Sequence, residues 1–182
     1  DGAFLINMPV LKGHCQTHVT CALKNAKSVI PNAEKRRFHT LGLHKPIAHL
    51  NTVVRWGFIL VDNICGDLDF EEGGNPVTMN RILGCLNPVL CDSFVCQTMG
   101  YEIREVPYIG LAERLGVGSS DLSKAKIIAL NDGVAAGQKS TRRIAALEAY
   151  AAPDAACSAC YGSLIYALNW LESKSGRLNL PD

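Results

Sequence analysis

Residues 56–64, Trp-Gly-Phe-Ile-Leu-Val-Asp-Asn-Ile, decide the fold class. The run is short, apolar and rich in aromatic and β-branched side chains, so it reads as a buried strand with Asp62 near its carboxyl end. Upstream, Ile47–Val54 reads as a helix. Residues 31–44, polar and basic around Lys35-Arg36-Arg37, read as a loop long enough to serve as a lid or binding segment. Before that, Val19, Leu23, Ala26 and Ile30 recur at helical spacing, which predicts a helix over His18–Ile30 stopped by Pro31-Asn32. Residues 3–8 form a first short strand ended by Pro9.

Downstream of the opening stretch lies a loop over 65–78 rich in Gly and acid, carrying Asp67, Asp69, Glu71 and Glu72 before Gly73-Gly74-Asn75-Pro76. Arg81–Leu86 reads as a strand. Asn87-Pro88 is a helix start, an N-cap followed by proline at the first helical position, and Gly100 closes that helix after Met99. Pro107–Leu115 repeats the pattern up to Gly116, Lys126–Leu130 reads as a strand, and helices are expected over 142–150 and 157–171. Alternating strands and helices predict an α/β fold, a mainly parallel sheet with helices on both faces plus a C-terminal helical segment. The Gly-containing stretch 131–140 marks the expected boundary, with an α/β domain over 1–135 and a helical segment over 136–182.

Composition narrows the function classes. Of 182 residues, 48% are hydrophobic and 19% charged, which suits a sizeable core and argues against disorder. A net charge of +1 gives no reason to expect nucleic acid or an anionic membrane as partner. No apolar run approaches the roughly 20 residues of a membrane span, and no signal peptide is evident. The chain opens on Asp and enters a strand at once, as expected of a piece of a longer protein. Eight scattered cysteines beside a large core fit reduced thiols in a cytoplasm better than a disulfide framework.

The polar residues that carry chemistry collect in two places. Lys12, His14, Cys15, His18, Cys21 and Lys24 fall within thirteen residues, with Thr20 and Asn25 beside them. Thr20 and Lys24 are four apart and would share a helix face. Lysines in a partly desolvated cleft hold anions or act as bases, and His14 is the natural proton carrier near neutral pH. A metal on His14, His18 and Cys21 is the weaker reading for want of a fourth ligand. The acidic loop fits no known cation cage and reads as a solvated loop. Among the other histidines, His39 is placed best to reach the site. Asp62 and Asp92 are the leading carboxylates, expected to orient the lysines or a metal, although Asp92 equally suits a purely structural place near a helix start.

Cys157-Ser-Ala-Cys160 is the second signal. Helix placement after Pro153-Asp154 puts both sulfurs on a first turn, where N–H groups favour thiolate. Such a pair serves as half of a metal or cluster site, as a dithiol redox couple, or as structural thiols. Cys15 and Cys21 are candidate partners for it, whereas Cys65, Cys85, Cys91 and Cys96 read as core.

The segments LINMPVLKGH, VTCALKNAKSVIP and Phe38-His39 together resemble the opening signature of the domain-of-unknown-function 362 family. ILVDNI (59–64), the Gly73–Pro76 loop, NPVLCDSFVCQTMGYE (87–102) and YIGLAERLGVGSSDL (108–122) are similar to later motifs of that family in the same order, so that the resemblance spans roughly residues 4–130. Asn87 stands where the family usually has Asp, and a ferredoxin-type cysteine box is missing. The resemblance implies association with iron–sulfur modules and redox-linked roles. The resulting expectation is a cytoplasmic, redox-linked domain. It binds a small anionic ligand through Lys12, Thr20, Asn25, His39, Asp62 and Asp92, with His14 and Lys24 as catalytic groups. Cys157 and Cys160 serve as ligands of an iron–sulfur cluster, and a redox protein as partner. A non-enzymatic binding or assembly module and a divalent-metal hydrolase are the alternatives.

Overall fold

The computed structural model describes residues 3–71, 73–131 and 139–176. The strand read at 56–64 is β4, Phe58–Gly66, the centre of a three-stranded sheet in the order β1-β4-β5, with β1 at Ile6–Asn7 and β5 at Val77–Cys85. β1 runs parallel to β4, because a long connection with three helices returns the chain to the same end. β5 runs antiparallel to β4. Only the loop from Asp67 to Pro76 joins these two, and a connection without a crossover helix cannot make a parallel pair. The expected mainly parallel sheet is therefore a mixed one.

Helices cover one face of it. Ile59, Val61 and Asn63 of β4 are buried, and Ile59 and Val61 join the principal core with Leu23, Ile47, Val89 and Val95. The alternate residues Asp62, Ile64 and Ile82 are exposed on the opposite face, contrary to the expectation of helices on both.

The predicted helix over 18–30 starts late. Lys12–His14 (β2) and His18–Thr20 (β3) form a small antiparallel hairpin, and α1 begins only at Ala22, running to Asn25 before a 3₁₀ turn over Ala26–Val29. His18 sits at φ +58, outside the right-handed helical region, and β-branched Val19 and Thr20 suit a strand. The stretch 31–44 is helical rather than a loop: α2 spans Asn32–Leu41 and α3 His44–Val53. α2 buries none of its residues fully, and with polar side chains nearly all round it carries no apolar stripe to betray it.

α4, Pro88–Thr98, starts as read: Asn87 Oδ1 accepts the N–H groups of Val89 and Leu90 at 3.0 and 3.1 Å. α5 spans Pro107–Arg114. Residues 126–130, expected as a strand, have no regular structure. Ile127, Ile128 and Leu130 are exposed, and strand propensity without a sheet edge beside it pairs with nothing.

α6 (Arg143–Glu148) and α7 (Ser158–Ser175) form the C-terminal segment. Ile144, Leu147, Tyr161, Ile165 and Leu168 build a second core with Cys15 and Phe70. Asp69 ties the segment down, its carboxylate accepting the hydroxyls of Ser140 and Thr141 at 2.6 and 2.7 Å. Most of the expected boundary at 131–140 lies outside the described residues. Among the described residues no helix is long and apolar enough to cross a membrane.

Candidate functional site

The hairpin, α1 and the acidic loop meet at Glu71. Gly13 makes the approach feasible: its N–H donates to Asp67 O at 2.8 Å, and a Cβ there would stand 2.3 Å from Asp69 O. Asp67 Oδ1 holds the loop by accepting the N–H groups of Asp69 and Phe70, and Asp67 Oδ2 accepts that of Asn75. Asp67 and Asp69 are thus buried and engaged, not solvated, and their oxygens are occupied by protein donors.

Glu71 receives cations from several elements. Lys24 Nζ donates to Glu71 Oε1 at 2.9 Å and to Thr20 Oγ1 at 2.9 Å, the four-residue spacing read in the sequence. Lys12 Nζ lies 3.6 Å from Oε1. His14 Nε2 lies 2.8 Å from Oε2. His14 Nδ1 accepts the N–H groups of Gln16 and Thr17, so the proton sits on Nε2 and the ring is neutral. Burial lowers its pKa to about 4, against the pull of Glu71. Burial likewise brings Lys24 down to about 8 although Glu71 opposes it. Burial would raise the Glu71 pKa, but the His14 hydrogen bond and the Lys24 charge outweigh it and hold the carboxyl well below its usual range.

A second layer faces the C-terminal segment. Lys27 Nζ donates to His39 Nε2 at 2.8 Å, which leaves the His39 proton on Nδ1, directed at Ser158 Oγ of α7. Burial and the charges of Lys27 and Lys24 both lower the His39 pKa. Ser158 lies between Cys157 and Cys160, so the CxxC borders the lysine cluster through His39. Cys157 stands at the N-cap position of α7 without a side-chain capping bond, its Sγ is 3.6 Å from that of Cys160, and the Cys160 N–H and thiol lower its pKa.

Several expected members lie elsewhere. Asp62 is on the exposed face of the sheet, its carboxylate accepting the N–H of Ile64. Asp92 is fully buried and accepts the N–H groups of Ala22 and Leu23, capping the helix that carries Lys24 rather than touching the lysine. Neither carboxylate orients a lysine directly. Asn25 donates to Asn7 Oδ1 at 2.7 Å and joins α1 to β1. His18 turns to Glu105 O and Glu148, away from any shared metal with His14.

Glu71 and Lys27 are the members that the sequence reading did not select. Lys27 stands three residues after Lys24, a spacing that shares a helical face, whereas Glu71 reaches the cluster from 47 residues away with no local signal. A cavity of about 340 Å³ opens between the Gly73-Gly74-Asn75 loop and Arg143, Tyr166 and Asn169, and none of the clustered lysines lines it.

An iron–sulfur cluster needs about four thiolates. Cys157 and Cys160 provide two. Cys15 lies close to Gly162 of α7, within the second core, and Cys21 lies instead beside Cys91 and Asp92. Among the described residues no further His, Cys, Asp or Glu completes a set of three metal-ligand atoms with the CxxC. The residues described do not fit a self-contained cluster.

A family model described as Domain of unknown function (DUF362) matches residues 1–97. That span contains the hairpin, α1, His39 and Glu71 and ends before α6, α7 and the CxxC. No curated protein and no solved structure matches the chain.

Proposed function

This chain belongs to the DUF362 family, and we propose that it is a redox-linked domain that binds a small anionic ligand beside the CxxC. The observation that carries the reading is an imbalance of charge. Among the described residues, Lys12, Lys24 and Lys27 lie around one carboxylate, Glu71, with His14 neutral, an excess of two positive charges in a partly buried place. Lys12 and Lys27 hold the anion at the rim and Lys24 holds it from within. Lys24, whose pKa is near neutrality, moves the proton that the sequence reading assigned to His14. His14 positions Glu71.

Cys157 and Cys160 act as the redox-active dithiol at the edge of the anion site. An iron–sulfur cluster at this end of α7 requires two further thiolates from outside the described residues, and a partner redox protein is the natural source. Eight scattered cysteines beside a large core support a reducing compartment such as the cytoplasm.

Calorimetric titration with inorganic phosphate and with succinate tests the anion site. Lys27→Ala and Lys24→Ala are each expected to weaken binding about tenfold or more, as loss of a charge-assisted contact does. Unchanged affinity in both variants would rule the site out. Iron and sulfide assays on anaerobically purified protein address the cluster separately, and their absence would leave the dithiol alone as the redox group.

A further inference from the structure

Three thiols and a carboxylate converge in the core apart from the lysine cluster. Cys21 precedes α1, Cys85 ends β5, and Cys91 and Asp92 lie near the start of α4. The Sγ atoms of Cys21 and Cys91 and a carboxylate oxygen of Asp92 lie within 4.8 Å of one another, all buried. The Cys91 thiol is near enough to those of Cys21 and Cys85 for each to affect its ionisation. Cys85 is only partly buried, so the group has one side open toward the surface.

Cysteines that merely fill a core behave as small hydrophobes and gain nothing from a buried carboxylate. Asp92 is fully buried, and besides the Ala22 and Leu23 N–H groups its carboxylate meets the Cys21 thiol and the Tyr108 hydroxyl, so a cation entering beside Cys21 would take the place of the thiol proton at that carboxylate. Sulfur ligands at about 2.3 Å from a tetrahedral metal stand roughly 3.8 Å apart, inside the 4.8 Å already spanned by Cys21, Cys91 and Asp92, whereas Cys85 Sγ, which donates to Asn87 O at 3.3 Å, must turn inward to join them. Thiolates together with one carboxylate suit zinc; copper(I) favours an all-sulfur set, and magnesium an all-oxygen one.

We propose that Cys21, Cys91 and Asp92, completed by Cys85, bind one zinc ion that ties α1, β5 and α4 together. Each ligating thiol releases its proton to solvent as the ion enters, and no electron moves. Because α1 carries Lys24, the ion would also fix the backbone of the anion site.

The test is titration of the reduced, metal-free 182-residue chain with cobalt(II), followed by zinc competition against a chromophoric chelator. The background is the Cys157→Ser/Cys160→Ser double variant, so that the exposed dithiol contributes nothing. One equivalent of cobalt with a thiolate charge-transfer band and tetrahedral d–d bands is expected, together with a rise in melting temperature on adding zinc. Adding Cys91→Ser should abolish the bands. Asp92→Asn and the partly exposed Cys85→Ser should weaken zinc binding by about tenfold or more. Absence of the bands in the folded double variant would overturn the proposal whether or not Cys91→Ser folds, and so would full bands in a folded Cys91→Ser protein.

Discussion

Lys24 is the residue on which the anion reading turns. It is 5% exposed, and its only hydrogen-bond acceptors among the described residues are Thr20 and Glu71. With a pKa of about 8, Lys24 is cationic at neutral pH and loses its charge as pH rises through that value. Phosphate or succinate affinity, followed by calorimetry from pH 7 upward, is therefore expected to be full below pH 8 and to fall above it. The Lys24→Ala variant should lack that step; a step of the same size in both proteins would show that another group titrates. At this scale the sequence was partly legible. Lys12, His14, Thr20 and Lys24 lie within thirteen residues and do meet in space. His14 was legible as a site residue but not in its protonation, because two backbone N–H groups of its own turn fix it neutral.

The elements divide along similar lines. α4 was legible because its start is written in adjacent residues: Asn87 caps and Pro88 follows. Asn87→Ala is expected to cost about 1 kcal/mol of stability in urea unfolding, the usual value of such a cap. A loss below a few tenths would mean that tertiary contacts alone hold the start of α4. The β2–β3 hairpin was not legible, since Val19 and Leu23 fit a helical stripe equally well. What decides against the helix is the left-handed turn at His18 and the capping of α1 from Asp92, 70 residues away for the Ala22 contact. α2 escaped notice for the opposite reason. It is a solvated helix, and hydrophobic periodicity reports only helices that bury a face.

At the scale of the molecule, alternation of strands and helices correctly indicated a mixed α/β chain but not the direction of β5. Direction depends on whether a helix crosses between two strands, and the loop from Asp67 to Pro76 contains none. That same loop does most to join the parts. Asp67 shapes it, Asp69 binds the C-terminal segment, and Glu71 enters the lysine cluster. In the proposed anion site the Glu71 carboxylate would stand in the place of the ligand, which would have to share or replace its contacts with Lys24 and Lys12. The most direct measurement is the calorimetric affinity of the Glu71→Gln variant for phosphate and succinate at pH 6, beside the unaltered chain, the lower pH offsetting the fall in the Lys24 pKa that loss of Glu71 brings. Removing the internal anion while keeping its shape is predicted to raise affinity about tenfold. Unchanged or weaker binding would contradict an anion site at Lys12, Lys24 and Lys27.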